Sequence, residues 1–173
     1  MKNNMEFMSY TLQDQPFNFQ IPEPFPAVEK QQLEVALHLV ELTRNTQCRL
    51  DDLLQPGLER LGYSRQRKDC QIWAPEFDHC FDFINPKKGI AIEIEKSEVK
   101  RIVHDVLKFV KGSRLTKKKI RYGVLVIPNR YKSAKSNHER AFWEIVQQDV
   151  VFYCKDIILE SDLKDILFLV YDV

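Results

Sequence analysis

The spacing of apolar residues changes along the chain. From Val28 to Asn45 they return at helical spacing, at Val28, Leu33, Ala36, Leu37, Val40 and Leu42, which predicts a helix with a broad apolar face. The stretch Cys48–Arg65 predicts a second helix, interrupted at Pro56-Gly57 and ended at Gly62 as a C-cap. The period then falls to two. Short strands are predicted over Cys70–Trp73 and Cys80–Ile84, a turn over Asn85–Gly89, and a strand over Ile90–Glu95. In "SEVKRIVHDVLKFVKG" the helical period resumes. Ser97 fits the N-cap, Val99, Ile102, Val103, Val106, Phe109 and Val110 form one face, and Gly112 stops the helix. "YGVLVIP" is a continuous apolar run, as expected of a strand covered on both faces. "SNHERAFWEIVQQ" predicts a helix and "VVFYC" a strand, while Asp156–Val173 fits either.

Two strand-helix-strand units late in the chain favour parallel pairing, and the compact run before them favours hairpins. The expected fold is α/β, a mixed central β-sheet with helices on both faces. Residues 1–28 read as a proline-rich N-terminal arm, since Pro22, Pro24 and Pro26 suit neither a helix nor a central strand. Residues 29–173 read as a single domain. Phe17, Phe19 and Phe25 would pin the arm to the body or to a second subunit.

Composition narrows the function. The 173 residues are 44% hydrophobic and 29% charged, ordinary for a globular domain. The apolar runs are too short to span a membrane and the N-terminus lacks a signal-peptide core, so the expectation is a cytoplasmic protein with no membrane partner. Cys48, Cys70, Cys80 and Cys154 form no C-x-x-C pair and read as reduced thiols. Cys70, His79 and Cys80 lack the second paired cluster of a usual zinc site. No P-loop, G-x-S-x-G elbow or G-x-G-x-x-G is present. The net charge is only +1, but its distribution is uneven. Between Lys108 and Arg140 the only acid is Glu139, and beyond Arg140 the balance turns acidic. Such a basic segment suits either a polyanion-facing surface or a solvated loop.

The strand Ile90–Glu95 carries the candidate chemistry. Side chains alternate along a strand, so Ile90, Ile92 and Ile94 share one face and Ala91, Glu93 and Glu95 the other. Glu93 and Glu95 would stand about 7 Å apart along that face. Asp82 alternates with Phe81 and Phe83, and a hairpin would bring it beside Glu93. Three carboxylates in one place repel one another, and burying them uncompensated is costly. A hard divalent cation would offset both penalties and can activate water for attack on a phosphodiester. An edge strand with solvated acids would have the same spacing. Lys96 points to the opposite face of an ideal strand.

Asp82, a short turn, Glu93-Ile94-Glu95, a basic amphipathic helix and the apolar strand Tyr122–Pro128 together resemble the PD-(D/E)XK nucleases, which have the type II restriction-endonuclease-like fold. The resemblance spans roughly Leu54 to Pro128, and "GLERLGYSR" resembles the family's pre-core helix. The family usually has lysine where this chain has Glu95, and Phe81 rather than proline precedes Asp82. An E-x-E arrangement resembles a subgroup of restriction endonucleases that read palindromic DNA as homodimers. The resemblance implies a metal-dependent endodeoxyribonuclease. Asp82 and Glu93 would bind Mg²⁺ or Mn²⁺, with Glu95 as metal-linked ligand or general base. Glu59 is a possible additional acid, and Asp78 a competing first acid. Double-stranded DNA would be the partner, and Lys96, Arg101, Lys108, Arg114, Lys117, Lys118 and Lys119 the candidate DNA contacts. The alternative is a non-catalytic DNA-binding or assembly module of the same fold, which the missing lysine favours.

Overall fold

A computed structural model of the chain describes residues 7–15, 17–41, 46–72, 79–96, 99–115, 119–132 and 139–172. Trp73, Asp78, Ser97, Lys117, Lys118 and part of the loop after Asn129 therefore lie outside the described residues. A five-stranded sheet in the order β1-β7-β4-β3-β2 forms the centre. Its strands are β1 (Phe7–Thr11), β2 (Phe83–Asn85), β3 (Ile90–Ile94), β4 (Tyr122–Pro128) and β7 (Asp165–Tyr171). β3, β4 and β7 run parallel, while β2 and β1 close the two edges antiparallel. The predicted mixed sheet is the one observed. A small hairpin of β5 (Arg130–Lys132) and β6 (Glu139–Ala141) stands apart from it.

Helices cover both faces. On one side α1 (Ala27–His38) and α2 (Leu50–Arg60) place Leu33, Leu37, Leu50, Leu54 and Leu58 against Ile90, Ile92 and Ile94. On the other, α4 (Val99–Ser113), α5 (Phe142–Ile145) and α6 (Phe152–Leu159) pack on Ala91, Leu125 and Ile127. The central strand β4 is buried along its whole length, which accounts for its unbroken apolar run. Gly123 on β4 has a packing reason. A Cβ there would lie 2.6 Å from the ring of Phe109, which rests on the bare backbone.

Several local expectations give way to tertiary context. "VVFYC" is helical, because a π-helical segment (Val146–Val151) joins α5 to α6. Val150 and Cys154, four residues apart, are buried while Phe152 and Tyr153 are exposed, which is the helical period and not the strand alternation. Pro56 does not interrupt α2, whose buried leucines hold the helix together across the missing hydrogen bond. Arg67–Cys70 is a helical turn, α3, and Gln71 meets Cys80 in a single bridge rather than a strand. The first helix ends at His38, short of the predicted Asn45. Gly62 ends α2 with φ +86°, as a C-cap glycine should.

The N-terminal segment is part of the fold. β1 adds to the sheet edge, and Phe17, Phe19 and Phe25 are buried in the body. Asp165, at the start of β7, holds this segment by accepting the amides of Leu12 (3.0 Å) and Phe25 (2.8 Å) along with that of Ile166 (2.7 Å). Burial raises its carboxyl to about 6, opposed by the same three hydrogen bonds. Replacing Asp165 with alanine leaves buried amides unpaired and is expected to cost about 3 kcal/mol or more. Limited proteolysis then cuts between Leu12 and Phe25 well before the body of the protein. Equal protection of variant and wild type would show that the carboxyl does not anchor the segment.

Candidate active site

The alternation along β3 is observed as predicted. Ile90, Ile92 and Ile94 face α1 and α2, and Ala91 faces the core beneath α4. Glu93 and Glu95 share the face of Ala91 by strand parity. The β2–β3 register pairs Phe83 with Ile92, so Asp82, one residue before β2, falls opposite Glu93. Its Oδ2 accepts the Ile94 amide at 2.7 Å, which fixes the carboxylate against the strand. Asp82, Glu93 and Glu95 line one cleft of about 560 Å³ at the carboxyl end of β3, where α4 begins to cover the sheet.

Each acid is held differently. Glu93 is only 4% exposed, and its Oε1 contacts the ammonium of Lys108 on α4. Burial pushes the Glu93 carboxyl well above the usual range, and Lys108 opposes the shift. Glu95 is equally buried. Its Oε1 accepts the Lys96 amide at 2.8 Å, its own amide donates to Val126 at 2.9 Å, and the Tyr171 hydroxyl donates to its carbonyl at 3.4 Å. Desolvation also raises Asp82, against the Ile94 hydrogen bond and Lys108. Asp105, one turn before Lys108, is raised to about 7 by burial, with Lys108 pulling the other way.

The flanking basic residues separate into several kinds. Lys96 lines the cleft but turns toward α2, pairing with Asp51 at 2.5 Å and donating to the Cys48 carbonyl at 2.9 Å. Asp51 in turn pairs with Arg65 at 2.5 Å. Arg101 is exposed at the cleft, with His79, Cys80 and His104 nearby. Lys108 lies inside the cleft rather than on an outer surface. Arg114 is exposed beyond the end of α4, and Lys119 pairs with Asp162 at 2.9 Å, away from the cleft. Glu59 also lies elsewhere, bonded by Gln55 at 2.7 Å in a groove beside Tyr63 and Ser64. The acid that α2 brings to the cleft is Asp51. No spacing in the sequence points to Asp51, which reaches the cleft through the packing of α2 on the sheet.

Among the described residues, no group of three His, Cys, Asp or Glu side chains is gathered tightly enough to hold one ion as it stands. The chemistry of the cleft nevertheless fits a hard divalent cation. Its inner acids are buried oxygen donors, and a positive group already touches Glu93.

Comparison with known proteins agrees with this architecture. A family described as "Putative halobacteria restriction endonuclease" matches residues 39–159, more than half of the chain. No curated protein sequence matches. The crystal structure of restriction endonuclease BGLII complexed with a DNA 16-mer superposes with a TM-score of 0.56 at 12% sequence identity, covering 98% of this chain and 77% of that one. The likeness establishes a restriction-endonuclease-like α/β fold. With that fold in place and the family match running from the end of α1 to the end of α6, the chain belongs to the halobacteria restriction endonuclease family.

Proposed function

We propose that the chain is a metal-dependent DNA endonuclease of the PD-(D/E)XK type in its E-x-E form. The observation that carries the reading is the convergence of Asp82, Glu93 and Glu95 on one cleft at the end of β3, with the Lys108 ammonium among them. Family membership and the fold support it. Asp82 and Glu93 would hold Mg²⁺ or Mn²⁺, and Glu95 would orient the attacking water or accept its proton. When bound, the cation polarises the scissile phosphate and offsets charge on the leaving oxygen. Arg101, exposed at the cleft, would meet a phosphate of the DNA backbone. Cutting both strands of a duplex at symmetric positions calls for two such clefts, and a homodimer supplies them.

The test is incubation of the protein with supercoiled plasmid in Mg²⁺, in Mn²⁺ and in EDTA. The expected result is nicked and linear DNA with either metal and intact plasmid in EDTA. Discrete bands from linear DNA would add sequence specificity. The Lys108–Glu93 contact and the absence of lysine at position 95 favour a second reading, a non-catalytic DNA-binding module. That reading predicts salt-dependent retention of DNA with no cutting in either metal.

A further inference from the structure

Lys108 touches Glu93 at the cleft's centre and lies near Asp105, whose Oδ1 also lies 3.5 Å from His104 Nδ1. The Lys108 side chain is 11% exposed and touches Glu93 Oε1. It lies 3.9 Å from Asp105 Oδ1, and 5.7 Å from the centre of the Phe81 ring. Lys96, which also lines the cleft, is occupied by Asp51 and the Cys48 carbonyl. An ammonium on one oxygen leaves lone pairs of Glu93 open, but a metal bound there would sit close to the ammonium and be repelled by it. Asp105 offers the ammonium a second resting place one helical turn away, on the same helix and already within 4 Å.

We propose that Lys108 is a tethered counter-ion that competes with the divalent cation for Glu93 and moves to Asp105 when the cation binds. The proposal rests on the reading of the acids as a cation site. It assigns opposite effects to two neighbouring residues of α4. Removing the Lys108 charge exposes Glu93 and tightens metal binding. Removing the Asp105 charge takes away the alternative partner, holds Lys108 on Glu93 and weakens metal binding.

The experiment is Mn²⁺ binding without DNA, measured by calorimetry and by the thermal shift that Mn²⁺ produces. It compares wild type, Lys108→Met, Lys108→Gln, Lys108→Arg, Asp105→Asn and the double variant Lys108→Met/Asp105→Asn. Lys108→Met and Lys108→Gln are expected to bind Mn²⁺ at least about tenfold tighter, because a unit charge at contact distance has been removed. Lys108→Arg, which keeps the charge, stays near wild type. Asp105→Asn binds several-fold more weakly, and most of that loss disappears in the double variant, since the fallback matters only while the lysine is present. Where a lysine variant is less stable, its melting temperature rises more with Mn²⁺ than that of wild type. Mn²⁺ binding in wild type with no gain in either uncharged variant overturns the competition. A full Asp105→Asn loss that persists without the lysine overturns the transfer to Asp105. Absence of Mn²⁺ binding in every protein, including the uncharged variants, overturns the competition and the cation-site reading together.

Discussion

If the chain cuts DNA as proposed, Glu93→Gln is expected to lower metal-dependent cleavage at least about a hundredfold. The substitution keeps the shape of the side chain and removes the charge that the cation needs. A bound divalent ion supplies several kcal/mol of charge stabilisation in the transition state. Each 1.36 kcal/mol is a factor of ten in rate, so the expected fall is at least about a hundredfold. Asp82→Asn behaves alike, although its Oδ1 can still accept the Ile94 amide and preserve the local backbone. The fold should survive both changes. In Glu93→Gln, Lys108 keeps Asp105 within reach. The measurement is the initial nicking rate of plasmid in Mg²⁺, with circular dichroism melts as the control. A folded Glu93→Gln protein that cuts at the wild-type rate would remove Glu93 from the chemistry and take the metal assignment with it.

Phe109→Ala unfolds the protein more readily than any surface change. Phe109 is fully buried on α4, stacked against Phe81 at 5.8 Å between ring centres, and it covers Gly123 on the central strand. Gly123 has no side chain to move into the space that truncation opens, so a cavity remains. Loss of a buried phenylalanine to alanine costs about 3–5 kcal/mol. The effect extends to function, because α4 also carries Asp105 and Lys108 into the cleft and Phe109 is its central contact with the sheet. Urea denaturation monitored by tryptophan fluorescence gives the change in midpoint. A shift equivalent to less than about 1 kcal/mol would mean that the neighbouring side chains close the gap and that α4 docks through its other contacts.

Much of the site was visible in the sequence because it depends on local geometry. A strand alternates its side chains whatever surrounds it, so "IAIEIE" alone put Glu93 and Glu95 on one face. The short turn before Gly89 tied Asp82 to the same neighbourhood. The helix after β3 and the buried strand "YGVLVIP" followed from period and composition. The resemblance to PD-(D/E)XK nucleases rests on these local features. Lys108 entered as a neighbour on the helix after β3, and Glu59 only through the family resemblance. The local reading had no basis for Asp51, which precedes Asp82 by more than thirty residues.

The alternating acids, the α4 apolar stripe, the central buried strand and the α/β class are all legible from local pattern. Each of these is a periodicity that the backbone imposes within a few residues. Tertiary structure decided the rest. It made "VVFYC" a helix, since an apolar run satisfies two periods and only its packing partners choose between them. It made the N-terminal segment an edge strand, because β7 offered an unpaired edge and Asp165 two amide anchors. It also set Lys108, a candidate DNA contact by sequence, against the Glu93 carboxylate. Where a long, flexible ammonium comes to rest depends on the field of carboxylates gathered from distant parts of the chain, and no local spacing encodes that field.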